Sequence, residues 1–328
     1  MVRLSDFNVK AVLNQGNAWT VSEISTYYGY SDGAFNLRNN LECFASSYGL
    51  YTIPKEPEVT GITYTWESSL IKTSLASTSN ISTLQLTKNG YFTGGFLGVF
   101  NQNFSSEVGF FQAPRIDDSP SVYTAGGSLG SGSYVYGFVF SYISPSGDKV
   151  ESQVSSTSIT TTTSTSSVNF TVAPLSFTNR QVSYCRLDIY RTKVNGSILY
   201  KLNSIIMTGN EPMVIPDATS DSSLTGAASI YTTGGILNNS PIGACYSLWA
   251  TKNRIFVVSS EEKTKIFYSK EKLTGYDFEF TGLQYIDCNG GQFEGDITAG
   301  GGLDEKIIIA KDRYLLGIYG DGPNRAVS

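Results

Sequence analysis

A chain of 328 residues can bury one large core or two ordinary ones. Its formal net charge of −5, with only 16 % charged residues, argues against a groove that grips nucleic acid by neutralising phosphates. The absence of histidine excludes Ser-His-Asp and Cys-His nucleophile pairs and every His-ligated metal site.

Gly, Ser, Thr and Tyr are abundant, and no stretch sustains helical periodicity, so the chain reads as all-β. No apolar run approaches the ~20 residues needed to span a bilayer. The opening "MVRLSDFNVKAVLN" has no apolar core of signal-peptide length. Cys43, Cys185, Cys245 and Cys288 fit no metal-ligand spacing and read as small apolar core groups in a reducing compartment. The sequons at Asn80 and Asn169 are what so Ser/Thr-rich a chain gives by chance.

In chain order, the first hairpin signal is "LTKNGYFTG" at 86–94, with a turn expected at Asn89-Gly90. "SYVYGFVFSYISPSGDKVES" then reads as a strand, a Pro-Ser-Gly-Asp turn and a second strand. Tyr134, Tyr136, Phe138, Phe140 and Tyr142 fall on one face, and Val135, Val139 and Ile143 on the other. The Thr-rich run ending in Val168, Phe170 and Val172 reads as an exposed pair of edge strands. In "SYCRLDIYRTKVNGSILYKLNSI", Cys185, Leu187 and Ile189 share a face, Asn195-Gly196 makes the turn, and Leu199-Tyr200 begin the return.

"ATKNRIFVV" at 250–258 repeats the first signal: strands are expected at Cys245–Thr251, Ile255–Ser259 and Lys265–Ser269, with the turn at Lys252-Asn253. "IAKDRYLLG" at 309–317 repeats it again around Lys311-Asp312. Lys252 and Lys311 are 59 residues apart, about one four-stranded propeller blade, whereas Lys88 and Lys252 are 164 apart. The excess approaches the roughly 100 residues of an immunoglobulin-like or fibronectin-type sandwich. The pattern therefore predicts an incomplete β-propeller of about three visible blade-like units, interrupted by a sandwich. Residues 1–121 would hold an N-terminal segment and the first blade or blades, 122–232 the insert, and 233–328 further blades. "GSGS" at 130–133 and "TTGG" at 232–235 would be its flexible joints.

Three stretches together resemble the tail nozzle (tail hub, or DNA-stabilisation) proteins of short-tailed bacteriophages. "SDGAFNLRNNLECFASSYGLYTIPKEP" at 31–57 is similar to that family's opening, a segment laid down before the first blade. The insert, with "LDIYRTKVNGSILYKLNSI" and "IPDATSDSSLTG", resembles the fibronectin-type module such proteins carry. "PIGACYSLWATKNRIFVVSSEEKTKIFYSKEKLTGYDFEF" and "DEKIIIAKDRYLLGIYGDGPN" resemble their consecutive propeller strands. Family members are longer, and their propeller continues past the "GDGPN" turn. The resemblance implies a ring of identical subunits, six by expectation, in the virion tail, assembled in the host cytoplasm. Such a ring surrounds the genome-exit channel, docks an adaptor and fibre proteins, and lets DNA pass without specific binding. An acidic chain suits a lumen that repels DNA.

Two-carboxylate glycosidase chemistry would need converging acids. Asp117-Asp118, Glu261-Glu262 and Asp304-Glu305 are adjacent pairs at turns, whose side chains diverge on a strand; Asp287, Glu294 and Asp296 are scattered. In "IPDATSDSS", Asp217 and Asp221 could supply oxygen ligands to calcium, or simply cap turns, which is the preferred reading. The Gly-rich "GYFTGGFLG" and "DITAGGGLDEK" lack the Lys-Ser/Thr and following helix of a phosphate cradle, so their glycines are expected to let strands pass closely. Tyr27-Tyr28-Gly29-Tyr30 and Phe110-Phe111 read as core or subunit-interface packing rather than stacking platforms. No catalytic, cofactor or metal residue is therefore expected. The alternatives are a carbohydrate-binding or glycan-cleaving propeller, or a secreted adhesin.

Overall fold

The computed structural model describes the backbone of isolated strands between residues 19 and 73, and most of 82–319 apart from 87–88, 94, 102–103, 117–118, 145, 210, 231–238, 252, 290–294 and 304–305. Among the described residues the chain is nearly all β, in several antiparallel sheets of which none closes. Among the described residues no helix is long and apolar enough to cross a membrane. Two compact units emerge: one of residues 1–108, 242–272 and 282–328, the other of 109–241 and 273–281. The expected insert, 122–232, falls inside the first stretch of the second unit.

The first unit begins with β1 (Trp19–Thr20), β2 (Gly33–Leu37), β3 (Leu41–Ser46), β4 (Gly49–Pro54), β5 (Glu58–Thr60), β6 (Thr63–Trp66) and β7 (Ser69–Thr73). Strands β2, β3, β4 and β7 make a four-stranded sheet, while β1, β6 and β5 make a three-stranded one. Residues 31–57 supply β2, β3 and β4 of the first of these, where Phe35 and Leu37, then Cys43 and Ala45, keep the two-residue period of a strand. Next come β8 (Thr83–Leu86), β9 (Asn89–Phe92), β10 (Gly98–Asn101) and β11 (Phe104–Glu107), a four-stranded meander. Leu86 pairs with Asn89, so the expected turn residues Asn89-Gly90 are not in a turn; residues 87–88 lie outside the described residues. Asn89 and Gly90 belong to the buried strand instead.

The second unit contains β12 (Ser121–Tyr123), β13 (Gly132–Ile143), β14 (Lys149–Glu151), β15 (Ser155–Thr161), β16 (Ser167–Val172), β17 (Cys185–Arg191), β18 (Tyr200–Ile206) and β19 (Met213–Asp217). One layer is β12-β16-β19; in the other, β14 and β15 pair with successive halves of β13, which also pairs with β17, and β17 with β18. Alternation along β13 buries Tyr134, Tyr136, Phe138 and Phe140 against Val168, Phe170 and Val172 of the facing layer. The Phe170 ring lies 4.4 Å from Tyr136 and 5.2 Å from Phe138 between centroids. Each such side chain contributes about 1.5–3 kcal/mol through burial.

Two expectations fail here. β15 is an edge strand, but β16 is the central strand of the other layer, since every second residue of β16 is buried in the shared core. The Ser/Thr run is the crossover between layers, tied by bonds from Thr163 Oγ1 and Thr165 Oγ1 to Thr124 O (2.6 and 3.0 Å). Nor is "GSGS" a joint: Thr161 Oγ1 and Tyr134 Oη both donate to Gly130 O, and Gly132 begins β13. The other expected joint, at 232–235, lies outside the described residues.

The first unit resumes with β20 (Cys245–Thr251), β21 (Arg254–Ser259), β22 (Lys265–Tyr268) and β23 (Tyr285–Asp287), a second four-stranded meander, and β24 (Ile297–Leu303), β25 (Lys306–Lys311) and β26 (Leu315–Tyr319), a three-stranded one. Asn253 sits in the turn between β20 and β21 with φ +60°, the left-handed region that Asn tolerates. The third copy of the Lys-Asn/Asp signal joins β25 to β26, the second hairpin of its sheet, whereas the other two copies occupy first hairpins. The 59-residue spacing therefore compares unlike positions; from the start of one first strand to the next, Cys245 to Ile297, the step is 52 residues.

First strands lie side by side: β2 beside β8, β8 beside β20, and β20 beside β24. Ser82 Oγ donates to Leu248 O (3.3 Å) and accepts from Leu248 N (3.2 Å), fastening the start of β8 to β20. At the β20–β24 contact, Cβ atoms on Gly300 and Gly302 would lie 2.4 Å from the Trp249 ring and 2.7 Å from Thr251 Cβ. These glycines let two strands approach, as expected of "DITAGGGLDEK". The sheet faces then enclose Trp249, Phe256, Val258, Ile266, Ile297 and Ile309.

Candidate functional site

Polar side chains converge most strongly in the second unit, at two ionic nodes on opposite faces of β17. The strand period sets them apart. Leu187, Ile189 and Arg191 point to the core, and Asp188 and Tyr190 point away.

Arg191, at the end of β17, is fully buried. Its NH1 donates to Asp217 Oδ2 (2.7 Å) and to Thr219 O (2.7 Å), and its NH2 to Asp221 Oδ1 (2.9 Å). Tyr136 Oη donates to the same Asp217 Oδ2 (2.7 Å), and the guanidinium stands 5.3 Å from the Tyr134 ring centroid. Thr219 N donates to Asp217 Oδ1 (2.8 Å) and Val194 N to Asp221 Oδ2 (2.7 Å). The node thus locks the loop after β17, the end of β19 and the 3-10 turn Asp221–Leu224 to one another. Burial, then the Asp217 charge, pushes the Tyr136 hydroxyl far above its ordinary range, so it stays a donor. Burial opposes the charge on Arg191, but Asp217 outweighs it and raises the guanidinium pKa.

Asp217 and Asp221 are therefore brought together, as a cation site would require. The cation between them is the protein's own guanidinium. Among the described residues no group of three or more His, Cys, Asp or Glu could hold a metal ion. Sequence reasoning missed Arg191, although its phase with Leu187 and Ile189 was a usable signal: a charge on a core face demands a buried partner.

On the other face, Asp188 is buried and accepts from Ser204 Oγ on Oδ1 (2.5 Å). Lys201 Nζ lies 3.1 Å from Oδ1 and Lys149 Nζ 3.2 Å from Oδ2. Lys149 also pairs with Glu151 at 2.5 Å. Burial opposes the charge on Asp188, but Ser204 and the two ammonium groups hold its carboxyl below the ordinary value. Burial likewise opposes the charge on Lys149, and Glu151 more than compensates, raising it. Three strands of one sheet, β14, β17 and β18, are tied here.

The remaining candidates do not converge. Glu262 pairs with Lys265, and Glu261 N and Glu262 N both donate to the Ser259 hydroxyl oxygen, so this acidic pair closes a turn. Asp296 pairs with Lys263 on the surface at 3.3 Å, and Asp287 is exposed with Oδ1 accepting from Asn289 N. Asp117-Asp118, Glu294, Asp304-Glu305 and Tyr27–Tyr30 lie outside the described residues. Phe110 is core, 6.3 Å from Phe140 and beneath Arg180 at 4.5 Å, while Phe111 is exposed. Cys185 and Cys245 are buried free thiols, and burial pushes the Cys245 thiol up to about 12. No protein-family model matches this chain, and no curated protein matches it in sequence.

Proposed function

We propose that the chain is a structural, assembly-forming protein: a ring-forming subunit of the tail nozzle or hub of a short-tailed bacteriophage. The observation that carries this reading is the stack of small antiparallel meanders in the first unit. Their first strands lie side by side even where a compact all-β unit separates them in sequence, as at β8 and β20. That is the arrangement expected of propeller blades interrupted by a guest module. The two-layered second unit, with β13 and β16 facing one another across an aromatic core, supports a fibronectin-type or immunoglobulin-like sandwich as that guest.

In this reading no residue carries catalysis. The ionic nodes at Arg191 and Asp188 stiffen the module, which offers a surface to adaptor and fibre proteins. Six copies enclose the channel, and the net charge of −5 keeps the passing genome from sticking to its wall. Electron microscopy of the purified protein and of virions tests the proposal. Symmetric rings with a central opening, at the tail tip in virions, are expected. A monodisperse monomer with sugar-binding activity, from a gene with no virion genes around it, refutes it.

A further inference from the structure

The node at Asp188 sets an amine against a carboxyl group, with a second carboxylate beside them. Lys149 Nζ lies 3.2 Å from Asp188 Oδ2 and donates to Glu151 Oε1 at 2.5 Å. The Asp188 contact is not a hydrogen bond, and Oδ2 has no other partner among the described residues. The second oxygen is fixed: Oδ1 accepts from Ser204 Oγ at 2.5 Å and lies 3.1 Å from Lys201 Nζ. Asp188 and Glu151 have only 1 % and 7 % of their side chains exposed, and Lys149 23 %. Val139, Ser141 and Tyr190, all buried, lie on the same face of the sheet. Lys149 is also fixed through its backbone. β13 pairs with it on one side; on the other, its N donates to Gly275 O (2.8 Å) and its O accepts from Asp277 N (2.9 Å). Glu151, two residues along the strand, shares the face of Lys149. Asp188 comes from β17, two strands over in the same sheet. An amine and a carboxyl group placed in this way react as one molecule rather than two, and burial strips away the water that would solvate their charges.

We propose that Lys149 and Asp188 form an intramolecular amide cross-link, with Glu151 as the proton carrier. Glu151 takes one proton from the Lys149 ammonium and returns it to Asp188 Oδ2, so that the ion pair becomes an amine and a carboxylic acid. The Nζ lone pair attacks Cγ, forming the N–C bond, and negative charge gathers on Oδ1, where Ser204 and Lys201 stabilise it. Glu151 then carries a second proton from Nζ to Oδ2. The Cγ–Oδ2 bond breaks, Oδ2 leaves as water, and the amide keeps the third proton. Glu151 ends as it began, and no oxidant or further reactant enters. This is a single self-modification and not turnover. Before it, Lys149 and Asp188 carry their charges and titrate; afterwards neither does. The bond ties β14 to β17 across β13, so that the sheet cannot be pulled apart between them. The inference is independent of the ring reading.

The test is the intact mass of the denatured full chain, freshly made and after prolonged incubation, with tandem mass spectrometry of its peptides. The wild type should become lighter by one water and yield a branched peptide that joins Lys149 to Asp188. Glu151→Gln should slow the cross-link at least about 100-fold, the loss of a positioned acid–base group. Asp188→Asn should release ammonia in place of water, which a merely structural ion pair does not do. Lys149→Arg should keep its full mass. A wild type that keeps the full mass of its sequence after incubation overturns the proposal. So does water lost within a peptide that holds Asp188 alone, which is a succinimide, or a branch that persists in Lys149→Arg through Lys201. A cross-link that forms as fast in Glu151→Gln as in the wild type overturns the role of Glu151.

Discussion

Replacing Arg191 with methionine keeps much of the side-chain volume and removes the charge that Asp217 and Asp221 share. Asp217 has 1 % of its side chain exposed and is left with Tyr136 Oη and Thr219 N as donors, whereas Asp221 is 25 % exposed and retains water. Breaking a buried pair by deleting one partner costs about 3–5 kcal/mol. Asp221→Ala should cost less, about 2 kcal/mol for charge-assisted hydrogen bonds, and Tyr136→Phe about 1 kcal/mol. Since the two units need not unfold together, native-state hydrogen exchange is the fitting assay, because it reads the opening of β17 and β19 locally. At about 1.4 kcal/mol per tenfold, amides of β17 and β19 should exchange two to four decades faster in R191M, and about one decade faster in Y136F. Exchange in R191M within fivefold of the wild type, or a larger effect from Y136F, would refute the claim that this guanidinium holds the module together.

Asp188 has its folded pKa depressed below 3.8, so its contribution is present above that value and lost as the pH falls through the folded one; the urea midpoint of the second unit should drop below about pH 4 and drop less in D188N. Lys149 is raised above 10.5, so its share is whole below that pH and disappears only at more alkaline values; K149M should flatten the alkaline limb of the same profile. Gly300→Val drives a side chain into the Trp249 ring and should destabilise by about 1–3 kcal/mol, seen as a lower midpoint in tryptophan fluorescence, while Gly301→Ala stays within about 0.5 kcal/mol of the wild type. Asn253→Ala at φ +60° should cost about 1–2 kcal/mol, and Asn253→Gly should cost little; equal midpoints for the two would refute the turn assignment.

Local chemistry made much of this fold legible. The alternation in "YVYGFVF" placed the core face of β13, and the Lys252-Asn253 signal placed β20 and β21 almost to the residue. Register and sheet membership were less accessible. Val168, Phe170 and Val172 announce a strand with one buried face, but nothing in them says that it crosses to the opposite layer. Asn89-Gly90 carries turn chemistry that the strand overrides, since Asn89 is buried and bonds to Tyr91 Oη at 3.4 Å. The 59-residue spacing misled because one short signal recurs at both kinds of hairpin. The ionic nodes were the hardest to foresee. Arg191 binds residues 26 and 30 positions away, and Asp217 accepts from a tyrosine 81 positions earlier. Strand phase gives the direction of such a side chain, and only the folded sheets give its partner.

The proposed ring would be built from stacked sheets. Negative-stain electron microscopy of the purified full chain at micromolar concentration addresses it most directly. Closed particles with a central opening and rotational symmetry, six-fold by expectation, are the predicted result. Uniform single-copy particles at every concentration would contradict it.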